Sequence, residues 1–342
     1  MEPLVSILIP AFNAQPFIAD TIRSALGQTW RRREIIIVDD GSTDKTVSVA
    51  RQFENDGVRV VTQSNRGAAA ARNKAYSLCK GDYIQWLDAD DLLGPKKIES
   101  QLEALTTQPD PKALLSAAWV FFIFRTSKAK FVPSPLWQDL APAEWLVRKL
   151  GQNLFMQPAT WLVSREQSEA AGPWDERLSL DDDGEYFCRV LLASNGVRFV
   201  PEARVYYRRS GFSSLSNVDR SDKKLESMFL SMKLHIGYLR SLEDSPRVHQ
   251  ACLAYLQRWL IWFCPKRPDL VQQLQEIAAD MGGKLESPHF SWKYDWLRTT
   301  FGWNMARRAQ TYLPRIRWSL NRAWDKTLSR IEHGNLASDP HI

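Results

Sequence analysis

Histidine is absent from the first 234 residues, and the five that follow (His235, His249, His289, His333 and His341) show no metal-ligand spacing. A histidine-built metal centre or a His-dependent triad in the N-terminal half is thereby excluded. Cysteine is scarce as well. Cys79, Cys188, Cys252 and Cys264 are scattered, which excludes a Cys-X-X-Cys metal site and a disulfide framework and fits a reducing compartment. No apolar run is long enough to cross a bilayer; the longest, residues 113–124 and 259–264, suit buried strands or helices. The start of the chain lacks the basic, apolar and small-residue pattern of a secretory signal, since Glu2 and Pro3 lead straight into a strand. A cytoplasmic protein is expected. Internal repeats and low-complexity tracts are missing too.

What is present suits a globular chain. Its 342 residues and 44% hydrophobic content support two domains, or one large domain with an appendage. Two strands end in acid. Tyr83-Ile84-Gln85-Trp86-Leu87 is apolar and stops at Asp88-Ala89-Asp90-Asp91. Glu34-Ile35-Ile36-Ile37-Val38 runs into Asp39-Asp40-Gly41-Ser42-Thr43-Asp44 in the same way. Carboxylates crowded at a strand end repel one another and lose hydration, so a cation offsets the cost. A divalent metal held by one or two aspartates and by substrate phosphates meets that need, with Mn²⁺ or Mg²⁺ the natural choice. The competing reading is a polar loop whose aspartates cap the helix starting near Pro95.

Periodicity places these runs in an α/β framework. Strands at 5–9, 35–38, 58–61 and 83–87 alternate with helices at 16–28, 43–53 and 68–79, the last rich in small residues that permit close packing. That alternation predicts a mostly parallel, doubly wound sheet flanked by helices, with ligands beyond the strands' carboxyl ends. One or two strands over 114–124, a helix over 143–150, a strand at 161–163, an acidic-headed helix over 181–193 and a strand at 197–200 follow. Past about Asn217 helix signals dominate, so a catalytic domain over 1–217 and a helical region over 218–342 are expected, the last ten residues frayed.

Four motifs occur in order: Ser6-Ile7-Leu8-Ile9-Pro10-Ala11-Phe12-Asn13, Val38-Asp39-Asp40-Gly41-Ser42-Thr43-Asp44, Asn65-Arg66-Gly67 with Ala71-Arg72-Asn73, and Leu87-Asp88-Ala89-Asp90-Asp91. The chain closely resembles family 2 glycosyltransferases of the GT-A fold over roughly residues 4–216, the remainder lying outside the likeness. The resemblance implies a nucleotide-diphosphate sugar donor. It implies that Pro10 and Ala11 line the nucleotide pocket, that Asp40 accepts a hydrogen bond from the base, and that Asp39 serves the turn. Gly67 and Arg72 fall among the donor-binding positions. The Asp-X-Asp carboxylates fall on Asp88, toward the sugar side of the nucleoside, and Asp90, toward the metal, with Asp91 the alternative ligand.

The same resemblance places a general base in Leu180-Asp181-Asp182-Asp183-Gly184-Glu185-Tyr186-Phe187-Cys188-Arg189. Counting back from Arg189 puts it on Asp183 with Asp182 before it. Three aspartates in a row and a glycine at 184 depart from the family's common form, leaving Asp182 as base or a helix cap as alternatives. Arg208 or Arg209 could neutralise pyrophosphate, or could belong to a basic loop with Ser210, Ser213, Ser214 and Ser216.

Charge concentrates late. Residues 289–330 hold nine Lys or Arg against Asp295 and Asp325, interleaved with Trp292, Trp296, Trp303, Trp318 and Trp324. That pattern fits peripheral contact with a membrane surface, or a helical subdomain that buries its own tryptophans. The net charge of +6 is too small to make nucleic acid an expected partner. The reading is therefore an inverting, metal-dependent glycosyltransferase acting on a glycan, lipid-linked or small-molecule acceptor in polysaccharide or cell-surface glycan synthesis. Within enzymes a nucleotidyltransferase would need a Gly-rich basic phosphate loop, which Pro10-Ala11-Phe12-Asn13 is not. Outside enzymes the alternative is a silent nucleotide-sugar-binding or scaffold protein.

Overall fold

A computed structural model describes residues 2–209, 221–287, 300, 322–328 and 331. The aliphatic β1 (Val5–Ala11) is buried on both faces, which suits the centre of a parallel sheet. α1 (Ile18–Leu26) turns Ile18, Ile22 and Ala25 inward, one helical repeat apart. β2 (Arg33–Asp39), α2 (Thr46–Arg51) and β3 (Val58–Thr62) follow. α3 (Ala68–Leu78) lays Ala69, Ala70, Ala71 and Ala75 against the sheet, and β4 (Tyr83–Trp86) completes its parallel part.

The five-stranded sheet has the order β3-β2-β1-β4-β7, with β7 (Val163–Ser164) antiparallel at the edge. The register decides where the acid goes. Ala11 stands opposite Asp39, and Leu8 lies between Ile36 and Trp86, so both acidic runs leave the sheet at one carboxyl edge.

A second sheet continues that edge. β5 (Leu92–Leu93), α4 (Lys97–Thr107) and β6 (Ala113–Phe122) lead to α5 (Pro142–Gln152), α6 (Arg165–Ala171), α7 (Asp182–Leu192) and β8 (Gly196–Arg208). The strand order is β5-β8-β6, with β6 and β8 parallel and a register shift after Ala117. β8 runs well beyond the expected 197–200 because the Pro201–Glu202 step, which looks like a strand end, is absorbed by that irregularity. α6 was not expected. Its sequence signal is a capping box, in which the Ser164 hydroxyl accepts from the Gln167 N–H and the Gln167 side chain returns to the Ser164 N–H.

The expected boundary at 217 lies outside the described residues, as do Ser210, Ser213, Ser214 and Ser216, and most of 289–330 with Trp292, Trp296, Trp303 and Trp318. Beyond it come α8 (Asp222–Leu242), α9 (Pro246–Phe263) and α10 (Pro268–Asp280). These helices are not a detached appendage. Leu225, Met228, Met232, Leu256 and Leu260 join Trp86, Trp161, Tyr186 and Val190 in one hydrophobic core. The four cysteines are unpaired, and no described helix is long and apolar enough to cross a membrane.

Candidate active site

At the sheet's carboxyl edge the first two strand ends are knitted together. The Asp40 N–H donates to Ala11 O at 2.8 Å, and the Asn13 carboxamide oxygen accepts from the Thr43 N–H at 2.9 Å. Gly41 takes φ 77°, and a Cβ there would stand 2.9 Å from the Asn65 nitrogen, so only glycine fits this turn. Asp39 Oδ2 accepts from the Gly41 and Ser42 N–H groups, the turn role expected of it. Its Oδ1 is buried with no partner among the described residues. Asp40 is more heavily engaged. Its Oδ1 accepts from Gln63 Nε2 and the Arg66 N–H, and its Oδ2 from the Gly67 N–H, so Asp40 fastens the 63–67 loop to the turn. Pro10 and Ala11 end β1 immediately beneath this arrangement.

The third strand end meets α3. Arg72 is 6% exposed, and it donates through Nη2 to Asp88 Oδ1 at 2.8 Å and through Nη1 to Asp182 Oδ2 at 2.6 Å. Its guanidinium lies 4.4 Å over the Trp174 ring, which stacks on Tyr186 at 4.1 Å. Burial opposes the charge on Arg72, but Asp182, Asp88 and Asp183 outweigh it and hold the group protonated. One cation thus joins the strand-end aspartates to the acidic helix start.

Asp90 and Asp91 differ sharply. Asp91, expected beside Asp90 as a metal ligand, is fully buried. Its Oδ1 accepts from the Arg208 N–H at 2.8 Å and its Oδ2 from Gln157 Nε2, so it presents no open face. Gln157 belongs to a turn held from below by Lys97 and Gln101, which donate to Trp161 O and Thr160 O. Asp88 and Asp90 are only half-buried. Hard oxygen donors without histidine or cysteine suit Mg²⁺ or Mn²⁺, and a pair of carboxylates leaves room for phosphate oxygens to complete the shell. No group of three or more His, Cys, Asp or Glu among the described residues could hold a metal by itself. Arg208 reaches Asp20 Oδ2 at 3.4 Å through Nη2. Buried, it donates to Asp90 O and Ile123 O and stacks on Phe122, while Arg209 is exposed over Phe121.

Asp183 sits in the first turn of α7. Burial, then the charges of Asp182 and Asp181, push its carboxyl up to about 7, with Arg72 pulling the other way. A carboxylate so placed takes up a proton near neutral pH, as a general base must. α8 holds the segment before it. Ser227 Oγ accepts from the Ser179 and Leu180 N–H groups, and the Ser231 hydroxyl donates to Asp181 Oδ2 at 2.6 Å. His235 is fully buried, with Nδ1 3.1 Å from the Tyr255 hydroxyl and 3.7 Å from Asp181 Oδ2; burial lowers it to about 4, so it is neutral at physiological pH. Asp181 takes the left-handed conformation (φ 59°) and folds back over the helix start. A Cβ at position 184 would stand 2.8 Å from its Cγ, which is why glycine occupies a place where a side chain is otherwise expected.

The family described as Glycosyl transferase family 2 matches residues 6–125. The glycosyltransferase EpsJ of Bacillus subtilis is 33% identical over 296 residues, covering 82% of this chain and 84% of EpsJ. The chain belongs to glycosyltransferase family 2. TuaG of Bacillus subtilis, a glycosyltransferase named for teichuronic acid biosynthesis, is 45% identical over 105 residues, 30% of this chain. The chain spans 42% of TuaG and 60% of the Rickettsia typhi glycosyltransferase RT0329. Among solved structures, S. aureus TarS 1–349 with UDP-GlcNAc superposes with TM-score 0.64 at 15% identity, covering 81% of each chain. That likeness establishes the GT-A fold for this family 2 member.

Of the residues expected from sequence, Arg72, Asp88, Asp182 and Asp183 come together, with Asp90 at the same edge; Pro10, Ala11, Asp40 and Gly67 form the adjoining turn. Trp174, Gln157, Ser227, Ser231 and His235 were missed. Only Trp174 had a local signal, an isolated tryptophan directly after the Gly172-Pro173 turn.

Proposed function

We propose that this protein transfers a sugar from a nucleoside diphosphate sugar to a hydroxyl acceptor with inversion at the anomeric carbon. The observation that carries the reading is the Arg72 bridge, which ties Asp88 at the donor edge to Asp182, the residue before Asp183, whose own carboxyl is raised to about 7. In this scheme Pro10 and Ala11 line the base pocket, and Asp40 accepts from a base N–H. Asp39 Oδ1, buried and unpartnered, is a second acceptor within the same turn. Arg72 orients Asp88 toward the ribose side and fixes Asp182, and Gly67 lets the loop close on the donor. Asp183 accepts the acceptor's hydroxyl proton as the new bond forms. Asp90 would hold a Mn²⁺ or Mg²⁺, which when bound supplies positive charge against the departing nucleoside diphosphate. The TarS structure with UDP-GlcNAc and a GDP-Man and Mn²⁺ complex of a Pyrobaculum calidifontis mannosyltransferase (TM-score 0.50, 17% identity) support this assignment of donor and metal class.

The names of TuaG and of the Escherichia coli chondroitin synthase, 44% identical over 103 residues, support a role in polysaccharide or cell-surface glycan synthesis. The acceptor is then a glycan, a lipid-linked glycan or a small molecule, met in the cytoplasm or at the inner face of the membrane. Calorimetric titration with UDP-, GDP-, dTDP- and CMP-sugars, with and without Mn²⁺, tests the donor half on wild type and Asp90→Ala. Metal-dependent binding of one nucleotide class, weakened in the variant, is expected. Binding of none, or binding indifferent to metal and mutation, refutes it. Acceptor-free hydrolysis of the bound donor, lost in Asp183→Asn, separates an enzyme from a silent binding protein.

A further inference from the structure

Four aromatic rings form a contiguous surface beside the carboxylates. Trp119 and Phe121 project from one face of β6, and Phe121 pairs in register with Tyr207 on β8. Ring centroids lie 4.8 Å apart for Trp119 and Phe121, 5.2 Å for Phe121 and Tyr207, 5.4 Å for Trp119 and Phe155, and 5.8 Å for Phe155 and Tyr207. Folding alone would bury such rings. Phe121 is instead 38% exposed, with the exposed Arg209 guanidinium 4.0 Å over its ring, and Phe155 is 40% exposed, two of the few large apolar side chains so accessible among the described residues.

The inner end of this surface is polar. Burial, then the charges of Asp91, Asp88, Asp183 and Asp90, raise the Tyr207 hydroxyl, which like any phenol is protonated at neutral pH and can donate a hydrogen bond. Gln157, two residues beyond Phe155, binds Asp91, which couples the outer ring to the same edge. We infer that Trp119, Phe121, Phe155 and Tyr207 form the acceptor subsite, and that the acceptor group seated there is a neutral pyranose ring. This rests on the glycosyltransferase reading above and adds to it the acceptor's chemistry. A pyranose has an apolar C–H face that packs on aromatic rings and a rim of hydroxyls that bonds to carboxylates and to Tyr207.

The test uses the full chain, the donor it hydrolyses fastest, and methyl glucoside, galactoside, mannoside and N-acetylglucosaminide as acceptors. At least one glycoside is expected to accelerate donor turnover and to receive saturation transfer from protein aromatic protons. Phe121→Ala and Phe155→Ala should each raise its KM roughly three- to tenfold, the range for one lost aromatic contact. Acceptor-free hydrolysis and donor affinity should stay within about twofold, and Phe121→Tyr should restore the KM. Unchanged acceptor KM in both alanine variants overturns the inference, as does failure of every glycoside to bind or accelerate. Loss of citronellyl phosphate binding in these variants, with glycosides indifferent, assigns the surface to a lipid and overturns it too. Absence of donor hydrolysis in wild type marks a different failure, that of the transferase reading itself.

Discussion

Gly184→Ala isolates the geometry of the α7 start from its chemistry. The added methyl would stand 2.8 Å from Asp181 Cγ and closer still to Oδ1, so the Asp181 carboxylate must move. Overpacking of this kind costs about 1–3 kcal/mol. If the carboxylate swings outward it also forfeits the 2.6 Å bond from the Ser231 hydroxyl, a charged hydrogen bond of about 1.5–3 kcal/mol. Replacing a helical glycine returns about 1 kcal/mol. The net loss is about 1.5–5 kcal/mol, or a Tm fall of roughly 2–7 °C for 342 residues. Turnover should suffer more, because a shift on the order of 1 Å at a reacting group costs about 10²-fold. Scanning calorimetry and donor hydrolysis read the two effects. The decisive comparison is the double variant Asp181→Gly, Gly184→Ala, in which glycine accepts the left-handed backbone and the clashing carboxylate is gone. Adding Gly184→Ala to Asp181→Gly should then cost nothing further. Wild-type stability and turnover in Gly184→Ala, or strictly additive losses in the double variant, would refute the reasoning.

Four further outcomes follow from the site. Because Asp183 must be ionised to act and titrates at about 7, turnover should fall about tenfold per pH unit below that value and level off above it. The same elevation makes Asp183 a stability cost: an unfolded carboxyl releases its proton near 3.8, the folded one near 7, so stability declines across that window as pH rises. Discounted for its partial exposure, the cost at pH 8 is about 1–2 kcal/mol, so Asp183→Asn should melt higher than wild type at pH 8, with the gap closing near pH 4. Arg72→Lys should lower turnover at least tenfold, since an ammonium cannot span Asp88 and Asp182 as the guanidinium fork does; a variant with normal kinetics would remove Arg72 from the site. Ser231→Ala should reduce kcat while leaving donor affinity unchanged, and Ser231→Thr should recover it; equal losses in both would indicate a packing effect alone.

The parallel half of the fold was readable because its strands are uniform aliphatic runs whose ends carry acid, and parallel strands must deliver those ends to one edge. The family resemblance and the spacing to Arg189 pointed to Asp183 while leaving Asp182 open, and Gly184, a puzzle in sequence, becomes intelligible only beside Asp181. What sequence could not separate was Asp90 from Asp91. The two are adjacent and chemically alike, and what distinguishes them is that Asp91 is buried against Gln157, 66 residues away in the chain, while Asp90 is only half-buried. Ser227 and Ser231 were invisible for the same reason. Each is an ordinary polar residue in a helix, and its meaning lies in a partner 47 or 50 residues earlier. Pro201 misled in the other direction, breaking the pattern of a strand that the ladder simply steps around.

The grip of α8 on the Ser179–Asp181 segment bears on how such a protein diverges. The stretch that matches the family model ends at residue 125, while the proposed base Asp183 and the hydroxyls that hold the segment before it come later. A recombination event, or an engineered chimera, that exchanged the helical region as an independent cassette would import foreign supports for the reacting carboxylate. Inheritance of the nucleotide half and of the helices is therefore physically linked.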